Sequence, residues 1–473
     1  MKIQALSHAG LRIAAGGKEL ICDPWLLGSC YWRSWWNYPP VPRALVDSLK
    51  PDFIYITHIH WDHFQGPSLK VFPKETMIIL PYDRYDRMRR DLNSLGFHNI
   101  VELRNGERRE LAPGFAIRSY HINPTITDSA VVIEADGHVI LNANDAKLAG
   151  LPLRQLLAKY PKIDFCFRSH SSANGRVCIK VTDEPDVVVD DNDHYLRAFS
   201  LFMQQVNPRY AVPFASNSCL LNDDVFHLNH LVQTPHIAKE YFDRFAAETG
   251  LKTKLQIMLP GDSWDSETGF DLTTEDWFGN RQERLIEYRD RVRPTLDRQA
   301  KIEARVKAPR KAVIDYFTAL ARNTPGWLAG SLRQEQVLII SRSEAETIGF
   351  AVSMSDKSVT VVEVDDFDNY DIQADFPALI LLQSVRMNMF GHAFISKRAQ
   401  YRASRRNLGA LQRFIFLLDL AECELLPMRT LLQWRTVRAL LPRWREGLLY
   451  LQVLLKMRSG KSLPDIEEEL LAA

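Results

Sequence analysis

Short apolar stretches, each ended by a turn signal, dominate positions 1 to 150. "KIQALSH" alternates, Gly10 interrupts, and "LRIAAGG" and "KELICDPWL" follow. That pattern predicts a strand meander broken at Gly16-Gly17. "DFIYITH" and "TMIILPY" predict buried strands, and the pattern turns helical between Asp83 and Leu95. "NIVELRNGERREL" and "FAIRSYHI" return to strands. "SAVVIEADGHVILNAND" predicts a hairpin, because Asp136-Gly137 suits a tight turn. A helix is expected from Leu151 to Tyr160, a strand at "IDFCFRSH", and an amphipathic helix over 195–206. Strands follow at "RYAVPFAS" and "KLQIMLPGD". Residues 275–306 are charged and mostly helical, with turn signals at Gly279-Asn280 and Pro294. Beyond them "VLIISR", "TIGFAVSM" and "SVTVVEVD" predict strands, and Phe376 to Leu455 predicts helices.

With 473 residues the chain exceeds what one hydrophobic core usually serves. Three segments are expected: a metal-binding domain over 1–265, a helical connector over 266–310, and an α+β accessory domain over 311–473. A net charge of +1 gives no polyelectrolyte character, so no nucleic-acid partner is expected. No apolar run predicts a membrane span, and the N-terminal residues lack a signal peptide's apolar segment. Six scattered cysteines without a CxxC suit reduced thiols, so the expected location is cytoplasmic. Without a Cys-x-His and Cys-x-x-His pairing, no Rieske iron–sulfur centre is expected within the chain.

The chemistry concentrates in "YITHIHWDHFQG", residues 55–66. A strand ending at Thr57 leaves the next residues on a loop at the sheet's edge. His58 and His60 are two apart, so their side chains converge on one ion from an extended turn. Asp62 and His63 follow at once and offer further donors. Imidazole with carboxylate and no thiolate suits zinc, iron or manganese. A ligand-free polar loop is the competing explanation. Four costly polar groups in one short loop argue against it. His121 and Asp145 each stand just past a strand, where further ligands from the same edge belong. Either alone is an ordinary cap or turn residue; the cluster upstream gives both weight.

"THIHWDHFQG" resembles the signature of the metallo-β-lactamase superfamily, in which HxHxDH precedes a distant His, an Asp and a last His. The opening "LSHAGLRIAAGGKELICDPWL" is similar to the start of one branch of it. That branch holds the ascorbate-phosphate lactonases and the phospholipase D acting on N-acyl ethanolamine lipids. "YITHIHWDH", "HVILNAND" and "NPRYAVPFA" resemble the C-terminal part of the CMP-N-acetylneuraminate hydroxylases more closely. The likeness is densest over residues 1–150 and extends to 265. It implies an α/β fold: a four-layer αβ/βα metallo-β-lactamase sandwich with a C-terminal α+β extension. It also implies ligand roles for His58, His60, Asp62, His63, His121 and Asp145, with Asp145 bridging. One departure stands out. The late strand "AVPFASN" carries no final histidine, which leaves His170, His227, His230 or water for that place.

Two chemistries fit a cofactor of one or two divalent ions, iron or zinc. In the first, favoured by the hydroxylase likeness, iron with open positions supports a monooxygenase. Such an oxidoreductase needs electrons from a separate Rieske or ferredoxin-type donor. In the alternative, a zinc or manganese hydrolase, metal-bound water attacks a phosphodiester, ester or lactone. Asp62 and His170 are the expected catalytic residues, Asp62 orienting the attacking water in the hydrolase. The expected substrate is a small molecule, anionic or sugar-nucleotide-like. "CYWRSWWNYPPVP" offers an aromatic wall for it or, equally, a packed cluster. "SHSSANGR" offers backbone donors for an anion or an ordinary loop. From Arg386 to Arg445 stand eleven arginines, with Arg398, Arg402, Arg405, Arg406 and Arg413 at helical spacing. They suit packing helices with a basic outer face, or peripheral membrane contact.

Overall fold

The computed structural model describes residues 1–123, 125–187, 189, 192–458 and 461–472. Two sheets lie face to face. The first has eight strands, in the order Gly269–Asp271, Ser263–Asp265, Lys2–Ala5, Leu11–Ala15, Lys18–Cys22, Phe53–Tyr55, Met77–Pro81, Ile100–Leu103. The second has seven, in the order Lys254–Leu255, Tyr210–Phe214, Phe165–Ser169, His138–Asn144, Asp128–Ala135, Phe115–Ile122, Arg108–Ala112. Ile13, Tyr55, Ile133, Phe165 and Phe214 fill the space between them. Helices Gly66–Leu69 and Arg87–Ser94 cover the first sheet's outer face over Ile54 and Ile78. Helices Gly150–Lys159, Asn192–Val206 and Pro235–Thr249 cover the second's. Strands covered on both faces read as continuous apolar runs, which is why "DFIYI" and "FCF" do not alternate. Each large side chain so buried contributes about 1.5–3 kcal/mol. This is the four-layer αβ/βα arrangement expected.

Both predicted tight turns form. Gly16 and Gly17 have φ of 56° and 72°, and Asp136 and Gly137 have 48° and 83°, the left-handed pair a two-residue hairpin requires. Strands Phe53–Tyr55, His138–Asn144, Phe165–Ser169 and Tyr210–Phe214 each run parallel to a neighbour, and their C-terminal ends lie along one edge. The loops leaving that edge carry His58, Asp145, His170 and Ser216.

A further six-stranded sheet runs Ile179–Val181, Gln400–Ala403, Ile372–Pro377, Val337–Arg342, Thr347–Ser353, Ser358–Val362. Its first strand comes from the metal-loop side of the chain. In return Leu449, Ile466 and Leu470, from the last two helices, pack into the core beneath the seven-stranded sheet. Three local expectations differ. Pro294 does not end the connector; helix Arg281–Glu303 runs through it. The lost hydrogen bond is offset as Leu285 and Leu296 pack beside Trp36 and Tyr38. "KLQIMLPGD" contributes only Lys254–Leu255. Gln400–Ala403 is a strand inside the stretch predicted helical, because "QYRA" alternates exposed and buried and pairs on both sides.

Arg398 pins the parts together. Its buried guanidinium donates two bonds to Glu303 (both 2.7 Å), one to Asp224 (2.7 Å) and one to the Trp32 carbonyl (3.0 Å). Arg398→Met leaves both carboxylates without their partner, so a loss of about 3–5 kcal/mol is expected. Urea unfolding of the two proteins measures it; an unchanged midpoint contradicts this role. Among the described residues no helix is long and apolar enough to cross a membrane.

Candidate metal centre

After Thr57 the backbone stays extended through His58 and then closes a turn, with His63 N–H and Phe64 N–H both donating to the His60 carbonyl. Ile59 faces the core, so His58 and His60 point the other way. Asp23, from "DPWL", anchors the loop. It accepts from Thr57 N–H (2.8 Å) and the Thr57 hydroxyl (2.7 Å), and lies 2.9 Å from His63 Nδ1. A carboxylate at Nδ1 fixes the tautomer and leaves Nε2 free for a metal. Asp145 is aimed by an asparagine turn. Asn144 has φ 41°, and its side-chain oxygen accepts from Asp145 N–H (2.7 Å) and Ala146 N–H (3.2 Å).

Two groups of donors result, each with its atoms within 4.8 Å of one another: His58, His60 and Asp145, and His8, Asp62 and His63. The Asp145 carboxylate turns one oxygen to each group, Oδ2 to His58 Nε2 and Oδ1 to His63 Nε2, both 3.7 Å away. His63 Nε2 and Asp145 Oδ1 are buried without a hydrogen-bond partner among the described residues. Two such atoms, too far apart to bond, fit a shared cation that would take the place of the His63 proton. The charges agree. Burial pushes His58 down to about 4, and burial beside His58 pushes His60 down to about 3, so both rings are neutral donors. Burial opposes charge on His63 too, but Asp145, Asp62 and Asp23 outweigh it and push it up to about 10. This pocket favours positive charge. Asp62, despite burial, is held well below the carboxylate range by His63 and His8. Side-chain exposure falls from 24% at Asp145 to 0% at His63, so the centre opens to solvent at Asp145.

Of the residues singled out from sequence, His58, His60, Asp62, His63 and Asp145 come together in these groups. His121 does not join either. Its Nε2 lies 3.0 Å from Ser119 Oγ on its own strand, and burial lowers its pKa. Asp128, at the start of the adjoining strand, approaches instead, with Oδ1 3.4 Å from His58 Nδ1 and that oxygen without a hydrogen-bond partner among the described residues. Burial and Asp145 raise its pKa well above the usual range. His170 is buried outside both groups, and its ring nitrogens find no partner among the described residues. His227 and His230 are exposed, away from the donors. Ser216, in the "AVPFASN" turn, spends its hydroxyl on His170 N–H and Ser171 N–H (both 3.2 Å). His170→Ala is expected to leave metal content near normal while lowering turnover about tenfold. Parallel loss of metal contradicts that placement.

The sequence did not single out His8, Asp23, Asp128 or His392, and it marked Tyr31 only as part of the aromatic stretch. His8 sits in a turn closed by Leu6 N–H to the Gly10 carbonyl, and a side chain at Gly10 strikes Ser7 Oγ at 2.3 Å. Its Nε2 lies 3.1 Å from Asp62 Oδ2. The Tyr31 hydroxyl donates to Asp62 Oδ1. Tyr31, Trp32 and Arg33 all have left-handed φ (50°, 54°, 65°), a strained run that bonds from Arg398 and to Gln383 hold in place. His392, from the C-terminal part, packs on His60 and Trp61 with ring centroids 5.4 and 5.0 Å away. Its Nδ1 bonds Glu422 (2.7 Å), and its buried Nε2 has no partner among the described residues. Of the aromatic stretch, Tyr31 and Trp32 join Trp61, Phe64, Leu379 and Met389 around a cavity of about 520 Å³; Trp36 and Tyr38 pack against the connector helix instead. The "SHSSANGR" loop is closed against the C-terminal part, where a side chain at Gly175 meets the Phe394 carbonyl at 2.1 Å.

Four layers, with a histidine–aspartate loop at the carboxyl ends of the strands, are the arrangement of the metallo-β-lactamase fold, here followed by a further C-terminal region. No family model matches the chain. Over 244 residues it is 26% identical to a "Putative Rieske 2Fe-2S iron-sulfur protein" of Mycolicibacterium smegmatis, covering 48% of this chain and 46% of that one. Over 152 residues it is 31% identical to cytidine monophosphate-N-acetylneuraminic acid hydroxylase of Mus musculus, covering 31% and 26%. The chain thus spans about half the length of these relatives, or less. Among solved structures it is similar to isothiocyanate hydrolase from Delia radicum gut bacteria, with TM-score 0.41 and 19% identity over 56% of this chain and 99% of that one. The metallo-beta-lactamase fold protein YhfI of Bacillus subtilis gives 0.35 and 12% over 56% and 98%.

Proposed function

We propose that this chain is an iron-dependent hydroxylase, a monooxygenase that draws electrons from a separate Rieske or ferredoxin-type protein. The observation that carries the reading is the donor set. Two carboxylates, Asp62 and Asp145, and the carboxyl of Asp128 stand among four imidazoles with no thiolate in either donor group, and by the resemblance Ser216 lies in the turn where hydrolases place their last histidine. Such a set suits iron with open positions. The relatives named as a hydroxylase and as Rieske proteins support an electron-transfer context.

Bound iron supplies oxygen activation and electron transfer. Hydroxylation places one atom of O₂ in the substrate and reduces the other to water, with two electrons and two protons from outside. Asp145 would hold ions in both groups, offering one oxygen to each. Asp23 fixes the His63 tautomer, and Tyr31 and His8 orient Asp62. His392 presents its Nε2 lone pair beside His60, oriented by Glu422. The aromatic cavity seats a small substrate, anionic or sugar-nucleotide-like, by stacking its base or ring. Six buried free cysteines accord with a cytoplasmic location.

The test is reconstitution of the metal-free protein with iron(II) or zinc, assayed on CMP-sugars and related anions with and without oxygen and a reductant. Turnover is expected with iron, oxygen and reductant together. Product formed with zinc in the absence of oxygen overturns this reading in favour of hydrolysis.

A further inference from the structure

Helices Trp434–Leu440 and Trp444–Arg458 are apolar on two sides. Their inner side is used. Ala439 and Leu449 are buried, and Arg443 reaches Thr127 Oγ1 (3.2 Å) and the Asn123 carbonyl (2.9 Å). Their outer side carries Trp444, Leu448, Leu451 and Leu455, at the spacing that forms one stripe along a helix. The preceding turns extend it: Leu432, Trp434 and Leu441 are 84%, 71% and 72% exposed. Scattered exposed leucines need no explanation, but seven large exposed apolar side chains between Leu432 and Leu455, four of them in one helix stripe, mark a binding surface.

We infer that this face docks on an anionic membrane surface. Residues 428–458 hold seven Arg or Lys against one acidic residue, Glu446; Arg443 pairs with Glu446, Arg435 with Glu102 and Lys456 with Glu469, which leaves Arg429, Arg438 and Arg445 as net positive charge. Arg429 and Arg438 are exposed within the stretch. Leucine and tryptophan on one face with arginine around them is the composition of a helix lying in the headgroup layer. A second copy of the chain would set this positive surface against itself. A protein partner fits less well, since leucine is under-represented among the residues that dominate protein interfaces. Neither helix meets the length and apolarity of a span, so the attachment is peripheral.

Sedimentation of the full chain with vesicles tests this, using phosphatidylcholine alone and phosphatidylcholine containing one third phosphatidylglycerol. The wild type is expected to pellet with the anionic vesicles and, at raised salt, to be released. The exposed triple variant L448Q/L451Q/L455Q, with its circular dichroism unchanged, is expected to lose at least about tenfold in binding. R429Q/R438Q is expected to lose the preference for anionic lipid while keeping residual binding. Wild type that stays in the supernatant with both vesicles overturns the inference, as does equal binding by the triple variant. A lipid-free dimer that the triple variant abolishes, without vesicle binding, assigns the face to a second copy and overturns it too.

Discussion

His60→Ala and His63→Ala are each expected to lose most of their bound metal, His63→Ala the more completely. His63 Nε2 stands between the two donor groups, 3.6 Å from Asp62 Oδ2 and 3.7 Å from Asp145 Oδ1. Its other nitrogen is tied to Asp23, so no rotation restores a donor. Changing a residue that merely supports a ligand costs about 10–100-fold in metal affinity, and removing the ligand itself costs at least the upper end of that. His60→Ala removes one donor from the outer group only. Elemental analysis after dialysis, with circular dichroism as the folding control, reads both effects. Folded variants with unchanged metal content contradict the assignment of these ligands.

Asp145→Ala is expected to fold, to hold at most one ion, and to be inactive. The backbone turn that carries Asp145 is held by the Asn144 and Asn142 side chains, which the substitution leaves intact. The carboxylate is partly exposed and its Oδ1 has no hydrogen-bond partner among the described residues, so its loss leaves the core packing in place. It also turns one oxygen to each group, Oδ2 to His58 and Oδ1 to His63, so its removal uncouples them. Asp145→Glu, which keeps the charge but moves it by one methylene, separates charge from spacing. It is expected to recover metal without full turnover. Full metal and activity in Asp145→Ala reduce the residue to a turn former.

The strands and the metal loop were legible because both are local signals; the four-layer sandwich came only from the resemblance that "THIHWDHFQG" carries. Apolar runs ended by glycine or asparagine mark strands, and four donors in six residues are hard to place except around a cation. The misses were of a different kind. His121 was the better donor by type, but the strand register pairs it with Ser129, and its ring turns back to Ser119. Asp128 enters from the next strand, at a position that reads as an ordinary turn residue. His8 stands alone in its turn, and only the folded meander brings it to Asp62. His392 and Glu422 belong to the C-terminal part, and no spacing near residues 58–63 foretells them. The arginine periodicity misled for a related reason. Arg398 is buried among carboxylates and Arg402 lies on a strand, so their spacing was not helical.

The most direct test of the metal centre is anomalous diffraction at the iron edge, from crystals grown with iron(II) under nitrogen. The account predicts anomalous density about 2 Å from His63 Nε2 and Asp145 Oδ1, with a second peak on the His58 and His60 side. An ordered loop over 58–63 without anomalous density, or iron bound elsewhere in the chain, would contradict it.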